Sequence, residues 1–343
     1  MKYSGASRDL RPQPRSCSPI IYQRIKAMID FQYLTRGVYG LANAHQAGTM
    51  AGHLGAAVSA GYFWGEDLGD LPERVSRGVE AELERIIAGE EAIWFNAKKA
   101  GVTPTELFRE FPTEAARPEL IGTLDSAMRP IAGQLKQSGH DVIFAASAIR
   151  ALHDHEELST PSVISGLQKL IERFRPTSPG RGYYGKEKGW LVGSQVQLTE
   201  ANNFPAYESI QQLAETTVRE LIDTASMHRQ GFGSLWHLIN HAAAIVELHR
   251  FGHQELASLC LPAHHQHVRL WRTLPDLTEE LGPVQKAEHD PRESVFWDGM
   301  LRRDEARLTH RIKTLYGYNV LRQLLEDTAI IDQADDALLY LMA

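Results

Sequence analysis

The feature of the sequence that most constrains its fold is the spacing of its apolar residues, which follows the period of an α-helix in one segment after another. The alternation of apolar and polar residues that is typical of a half-buried strand is nearly absent. We therefore predict an all-α protein, in which stacked α-hairpins form a toroid or a helical bundle around a central cavity. The helix pairs recur without a strict sequence period, so the pattern does not favour a consensus solenoid.

The sequence indicates one helical domain preceded by a short leader. Residues 1–18 contain basic residues, proline and serine without an apolar stretch, and we expect a flexible leader rather than a secretory signal. Residues 19–343 are expected to form a single domain. Within it, residues 176–205 are rich in glycine, proline and aromatic side chains, and a loop of this length in a compact domain is often a functional lid. Its aromatic residues are the expected substrate cover: Tyr183, Tyr184 and Trp190.

Composition excludes several classes of protein. The chain of 343 residues carries a formal net charge of -7, whereas binding to a nucleic-acid backbone needs clustered lysine and arginine in excess. No uninterrupted apolar stretch reaches the length of a transmembrane helix. The two cysteines, Cys17 and Cys260, lie far apart, so neither a disulfide framework nor a cysteine-ligated metal site is predicted. We expect a cytoplasmic protein without nucleic-acid or membrane partners, and its oligomeric state stays open.

Several helices are predicted in the first third of the chain. The first are expected over Ile20–Leu34 and Val38–Phe63, and an amphipathic helix is expected over Pro72–Ala100. The solvated face of this amphipathic helix is expected to carry Glu80, Glu82, Glu84 and Arg85. Later in the chain, the segment His140–Leu152 is apolar and rich in small residues, which is typical of a closely packed inner helix.

The polar residues that stand out are histidines on otherwise apolar helices. His237 and His241 are four residues apart, so they lie about 40° from each other around a helix axis and could bind one metal ion. His249 is rotated about 120° from His237, and Gly252 is the expected helix break. The metalloprotease motif HExxH does not apply, because the residues between His237 and His241 include no glutamate.

Other helices carry polar groups toward the same predicted interior. His45 and His53 lie eight residues apart on a helix of small residues, and His140 opens the inner helix described above. His310 and Lys313 share one side of a late helix. If these groups converge, they form a site that is rich in nitrogen and free of thiolate, which suits iron, zinc, copper or nickel and favours oxygen chemistry at Fe(II). A carbamylated lysine would supply the carboxylate that such a site otherwise lacks.

A second group of histidines follows Pro262. The run Ala-His-His-Gln-His, residues 263–267, is typical of a weak, adventitious metal binder or of a helix start. We assign it no function.

Four short segments together span Asn43 to Tyr316. They are ANAHQAGTMAGHLGAA, with Asn43 and His45 followed by a methionine, HDVIFAASAIRAL, HLINHAAAI, and DEARLTHRIKTLYG with its Ile-Lys pair. In these segments the chain resembles the questin oxidase-like family, all-α proteins associated with oxidative ring opening of anthraquinone-type polyketides. The chain departs from the family in the wider spacing of His45 and Met50, and in Ser147, where the family often has a second histidine.

The resemblance implies an oxygenase that inserts oxygen into a polycyclic aromatic substrate or cleaves one of its C–C bonds. It implies a non-haem metal, Fe(II) or another divalent ion, while a role for NADPH and a modification of Lys313 stay open. Carried onto this sequence, the expected metal ligands are His45, His140, His237, His241 and Lys313. His53 and His310 are expected to be catalytic residues next to the metal, or substitute ligands.

Two other classes of function fit the same sequence. A metal-free enzyme of the α/α-toroid kind would use histidine and glutamate as general acid and base on a polar substrate in the central cavity. A non-catalytic helical scaffold would use its histidines only for structure. A repeat scaffold usually has a regular sequence period, which this chain lacks.

Overall fold

The computed structural model describes residues 28–298 and 307–343. The predicted leader lies outside these ranges, and so does most of the helix expected over Ile20–Leu34. In the described part, the first helix begins at Phe31. The Asp30 carboxylate caps this helix by accepting a hydrogen bond of 2.8 Å from the backbone N–H of Gln32.

Helices make up most of the described chain, and the predicted all-α class is confirmed. The α-helices are α1 (Phe31–Asn43), α2 (Gly52–Leu68), α3 (Glu73–Ile87), α4 (Ala97–Ala100), α5 (Pro104–Leu107), α6 (Gly122–Met128), α7 (His140–Asp154), α8 (Pro161–Glu172), α9 (Gly185–Lys188), α10 (Ile210–Thr224), α11 (Ser234–Arg250), α12 (Gln254–Arg272), α13 (Thr278–Leu281), α14 (Ser294–Trp297), α15 (Arg307–Arg322) and α16 (Thr328–Met342). Short 3-10 helices are Ala44–Gln46, Thr49–Ala51, Ala92–Trp94, Pro118–Leu120, Gln137–Gly139, Glu156–Leu158, Gly193–Gln195 and Glu200–Asn202. No helix within the described ranges is both long enough and apolar enough to cross a membrane.

Four helices, α2, α7, α11 and α15, form the centre of the fold. Helix α2 contacts α7 and α15, and α11 contacts the same two helices. Their residues are buried on nearly every face, as expected of helices that are apolar or small-residue all round. Helices α1, α3, α8, α10, α12 and α16 pack around them. The close approach of α1 and α2 requires glycine at Gly55, because a Cβ atom there would lie 2.3 Å from the backbone nitrogen of Leu41.

The segment Val38–Phe63 is not one helix. Helix α1 ends at Asn43, two 3-10 turns follow, and α2 begins at Gly52. Gly48 lies in the break with a φ of 118°, a left-handed value that glycine adopts with little strain. The break reorients the chain between His45 and His53, so the angle calculated for a continuous helix does not apply to them.

The expected amphipathic helix is also shorter than the segment Pro72–Ala100, since α3 ends at Ile87. The expectation that Glu82 lies on its solvated face was wrong. The Glu82 side chain is fully buried, and one of its oxygens accepts a hydrogen bond of 3.3 Å from Arg85. The charge of Arg311 also lies close enough to lower the pKa of this carboxyl, although burial raises that pKa overall, to about 7.

The loop region 176–205 contains a small antiparallel hairpin. Strands β1 (Arg181–Tyr183) and β2 (Trp190–Val192) pair with Tyr183 opposite Trp190. A bridge between Gly182 and Gly231 attaches this hairpin to the segment that leads into α11. The hairpin therefore stands next to the start of one central helix.

Candidate metal centre

Four histidines from the four central helices converge on one cleft, and we call them the cleft histidines: His53, His140, His237 and His310. Each lies in the first turn of α2, α7 or α11, or in the first described turn of α15. Helices α2, α7 and α11 thus direct their amino ends to the place where the first described turn of α15 lies. Sequence periodicity predicted the helices, and the packing of the helices brings the side chains together.

The ring nitrogens of the cleft histidines face one another. His53 Nε2 lies 3.0 Å from His140 Nε2, and His237 Nε2 lies 2.7 Å from His310 Nε2. The ligand atoms of His53, His237 and His310 all lie within 4.8 Å of one another. Two nitrogens bound at right angles to one ion, each at about 2.1 Å, are about 3 Å apart. The spacing of these nitrogens therefore fits a shared metal ion.

Burial keeps the imidazoles of His53, His140 and His237 neutral, which is the form that binds metals. It lowers the pKa of His140 to about 3. It also lowers the pKa of His53 and of His237 well below the usual value, and the positive charge of nearby Lys313 acts in the same direction. At neutral pH the cleft therefore presents uncharged nitrogen lone pairs.

The hydrogen bonding of the cleft histidines is incomplete. His140 Nδ1 is in close contact with the carbonyl oxygen of Gln137, which assigns the proton to Nδ1 and leaves a lone pair on Nε2. The buried Nδ1 atoms of His53 and His237 have no hydrogen-bond partner among the described residues. Buried polar atoms normally have hydrogen-bond partners. The lack of partners for these two nitrogens therefore indicates that the rings have a function besides packing in the core.

Two tryptophans fix the orientation of the rings. Trp94 stacks on His53 with a centroid distance of 3.6 Å, and Trp236 stacks on His310 at 4.8 Å. The indole N–H of Trp236 donates a hydrogen bond of 3.2 Å to the carbonyl of Leu341, which anchors that ring in turn. Rings held in this way lose little freedom when they bind a ligand.

Backbone strain is concentrated at the same cleft. Among the described residues, the non-glycine residues with positive φ are Gln137, Ser138, Phe232 and Ser234, and all of them line it. They form the turns from which α7 and α11 begin. Gly233 lies between two of them, and a Cβ atom there would lie 2.1 Å from the His237 ring. Such strain persists where the surrounding structure enforces it, and it is typical of functional sites.

The cleft is large enough for a polycyclic molecule. Its volume is about 1200 Å³, and its described wall includes the four tryptophans Trp94, Trp190, Trp236 and Trp271. Ligand sites of this kind are mostly apolar, with a few convergent polar groups. Of the three residues expected to form an aromatic lid, Trp190 lines the cleft and is 43% exposed.

The two tyrosines of the expected lid point elsewhere. Tyr183 donates a hydrogen bond of 2.7 Å to Glu280, and the Tyr184 hydroxyl lies 2.5 Å from the Thr273 hydroxyl. Neither tyrosine belongs to the described lining of the cleft. They attach the hairpin to the end of α12 and to α13, so Trp190 is the one residue of the three that lines the described cleft.

Lys313 lies one turn after His310 and points into the interior of the bundle. Together with Ser147 and Asn240 it lines a small cavity of about 20 Å³, large enough for one water molecule. Burial lowers the pKa of Lys313 to about 7, and the charge of Glu91 partly opposes this. Glu91 is itself buried and accepts a hydrogen bond of 2.8 Å from the backbone N–H of Thr309.

Three of the expected ligands lie outside the lining of the cleft: Lys313, which lines the small cavity described above, and two histidines. His45 lies on the 3-10 turn after α1, where its Nδ1 is 2.8 Å from the carbonyl oxygen of Ala42, and it lines a different cavity with Arg109 and Lys169. The expectation that His45 converges with the others was wrong, because the helix is interrupted and the chain turns at Gly48. His241 is the second histidine.

His241 belongs to a separate group, which we call the core histidines: His241, His264 and His267. One helical turn separates His237 from His241, a rise of about 6 Å, which takes the second ring beneath the cleft. There His241 Nδ1 lies 3.3 Å from His267 Nδ1, and its ring packs against Gly139. His264 and His267 lie in the middle of α12 and are fully buried, so the interpretation of this run as a helix start was wrong.

His53 and His310 were expected only next to the metal or as substitute ligands, but both belong to the cluster of ring nitrogens. Trp94 and Trp236 were not predicted. Their signal in the sequence is weak. Trp94 follows α3 by several residues, and only the folding of that segment onto α2 brings it against His53. A better indicator would have been position in the helix, because His53, His140 and His237 each lie in the first turn of their helices.

Comparisons of the chain with protein-family models, with curated proteins and with solved structures gave no match. The chemistry of the site is therefore the basis for the function proposed below.

Proposed function

We propose that the protein is a metal-dependent oxygenase, with Fe(II) as the metal and a polycyclic aromatic molecule as the substrate. The observation that carries the proposal is the cluster of His53, His237 and His310, whose ligand atoms lie within 4.8 Å of one another in a cleft of about 1200 Å³. A set of neutral imidazoles without thiolate suits a non-haem metal. The resemblance to the questin oxidase-like family favours the same chemistry.

In this proposal, His53, His237 and His310 hold the metal, and His140 is a further ligand or orients His53 through their 3.0 Å contact. The metal, when bound, would supply the ability to activate dioxygen. Trp94 and Trp236 keep two of the ligand rings in place. Lys313 Nζ can hold or release a proton close to neutral pH, and its charge favours the neutral form of the nearby histidines.

The proposal is tested by elemental analysis of untagged protein that has been loaded with Fe(II) without oxygen. We expect about one equivalent of iron in the wild type, and loss of iron in His237→Ala and His310→Ala. His45→Ala is the matched control, since this histidine lies in another cavity, and it should retain the metal. Equal iron contents in all four proteins would contradict the proposed ligand set.

Oxygen uptake tests the reaction itself. Iron-loaded protein should consume dioxygen in the presence of a hydroxylated anthraquinone, and His237→Ala should not. Stoichiometric iron without oxygen uptake on any polycyclic aromatic tested would leave a metal protein that is not an oxygenase.

A second candidate function is metal-free acid–base catalysis. The separations of 3.0 Å and 2.7 Å between paired Nε2 atoms are also hydrogen-bond distances, so each pair could share a proton without an ion. Glu91, whose pKa burial raises, would be the associated carboxyl group. Activity that survives complete removal of metal, with a bell-shaped dependence on pH, would favour this candidate.

A further inference from the structure

Arg229 is a partly buried cation that forms no ion pair with any residue in the described ranges. It lines the cleft, and its Nε atom is buried and has no hydrogen-bond partner in the described chain. The nearest acidic groups are otherwise engaged, since Glu220 pairs with Arg272 and Asp276 accepts hydrogen bonds from Thr278. Burial lowers the pKa of Arg229, and the charges of Glu220 and Asp276 oppose this only in part.

Arg181 is a second cation on the same wall of the cleft. Its guanidinium lies 4.7 Å from the centre of the Trp190 ring, and Arg229 lies 5.5 Å from the centre of the Trp271 ring. Both arginines are on backbone segments that pair with each other, because the N–H of Phe232 donates to the carbonyl of Arg181. Each cation therefore stands beside an aromatic surface, in a wall that the hairpin and the start of α11 build together.

The described lining of the cleft favours negative charge. The chain has 43 acidic and 36 basic residues, yet no aspartate or glutamate side chain belongs to the described lining of the cleft. The amino ends of α2, α7 and α11 also face it, and they contribute a positive potential. Arg307, a third arginine in the lining, is already engaged with the backbone oxygen of Ala343.

We propose that the substrate is a planar aromatic anion, an aromatic carboxylate in the first instance, whose charged group is bound by Arg229 and Arg181. The inference rests on the proposed function for the oxidation of the substrate's aromatic ring. The tryptophans hold that ring within reach of the cleft histidines. An incoming carboxylate provides Arg229 Nε with the hydrogen-bond partner that it lacks among residues 28–298 and 307–343. Guanidinium and carboxylate form paired, charge-assisted hydrogen bonds, and an arginine stacked on an indole is held in position for them.

The test is a binding measurement that does not depend on metal or turnover. Quenching of tryptophan fluorescence is followed in metal-free protein with two probes of equal size, anthraquinone-2-carboxylate and anthraquinone-2-carboxamide. We expect the carboxylate to bind at least about tenfold more tightly, because a hydrogen bond to a charged group contributes more than a neutral one. Added salt should weaken binding of the carboxylate and leave the carboxamide almost unchanged.

Substitution of the arginines completes the test. Arg229→Gln and Arg181→Gln should each reduce the preference for the carboxylate about tenfold and leave carboxamide binding intact. Lys188→Gln is the matched control, since Lys188 lies in the same hairpin but not in the lining of the cleft, and it should bind like the wild type. Equal binding of the two probes, no binding of either, or an unchanged preference in both arginine variants would overturn the proposal. A protein that binds no iron but prefers the carboxylate would contradict only the proposed function.

Discussion

The cleft histidines and the core histidines are both buried and neutral, but their hydrogen bonding differs. In the core group, His267 Nε2 donates to the carbonyl of Phe232 at 2.7 Å, and His264 Nε2 donates to that of Leu238 at 3.1 Å. Tyr207 donates to His264 Nδ1, and His241 Nδ1 donates to His267 Nδ1. Only His241 Nε2 lacks a partner in this described group.

In the cleft group, by contrast, two Nδ1 atoms lack partners and the Nε2 atoms face one another. The core histidines also line none of the described cavities, whereas the cleft histidines share one that opens to solvent. Burial alone therefore does not distinguish the two groups. They differ in their partners, because carbonyl and hydroxyl groups bind the core rings, whereas the Nε2 atoms of the cleft rings face one another.

Fe(II) should stabilise the folded protein through the cleft histidines and not through the core histidines, and we expect this to be the largest difference between the two groups. At Fe(II) concentrations about 1,000 times the dissociation constant, the wild type should gain about 4 kcal/mol in free energy of unfolding, because only the folded state holds the site. His264→Gln should show the same gain, and His53→Ala should show none. Anaerobic urea unfolding with and without Fe(II) measures the gain. A similar gain in His264→Gln and His53→Ala would contradict the difference between the two groups.

Loss of a core histidine should destabilise the protein itself. His267→Ala leaves the Phe232 carbonyl and His241 Nδ1 without partners and opens a cavity, so we expect the free energy of unfolding to fall by about 2–4 kcal/mol. Urea unfolding of metal-free protein is the measurement. His237→Ala provides the comparison, and it should lose less, since the His237 ring has one described hydrogen-bonding contact, to His310 Nε2, whereas the His267 ring has two.

The core histidines should also make the protein sensitive to acid. Burial lowers the pKa of His264 to about 3 and that of His267 to about 4, below the value of about 6.5 in an unfolded chain. Below pH 6.5 the unfolded chain therefore takes up protons that the folded chain does not. Stability is complete above about pH 6.5 and falls on acidification, by up to about 1.4 kcal/mol per pH unit for each histidine. Unfolding of His264→Gln between pH 7 and pH 4.5 should show a shallower decline, and an identical decline would argue against the core assignment.

The smallest expected effect concerns the strained turns that carry the cleft histidines. Ser234 has a φ of 59°, which a glycine adopts with less strain. Ser234→Gly should raise the free energy of unfolding by about 0.5–1 kcal/mol, after allowance for the greater freedom of glycine in the unfolded chain. Thermal unfolding checks the gain, and Ser258→Gly within α12 is the control that should destabilise. A loss in Ser234→Gly would mean that the turn is not strained.

The sequence predicted the fold class and the inner helices better than it predicted the site. The apolar, small-residue segment from His140 forms α7, and Gly252 follows the end of α11 with a φ of 88°, as expected. These outcomes depend on local periodicity and on the conformational freedom of glycine. Both properties can be read from a few neighbouring residues.

The composition of the site depends on long-range packing, which a single sequence does not encode in a readable way. His237 and His241 share a helix face, but only the first reaches the cleft, because α12 occupies the position beneath it. The turn at Gly48 places His45 away from the site. The contact between α11 and α15 places His310 in it. The spacing of residues along a helix predicts their angles around its axis, but it does not predict which helices contact one another.

The central claim is that the cleft histidines, and not the core histidines, form the metal centre. The most direct test is an anomalous-difference map at the iron absorption edge from crystals of protein loaded with Fe(II) without oxygen. We predict one strong peak within bonding distance of the Nε2 atoms of His53, His237 and His310. A peak beside the core histidines or in the cavity of His45, or a map without a peak in crystals shown to contain iron, would contradict the claim.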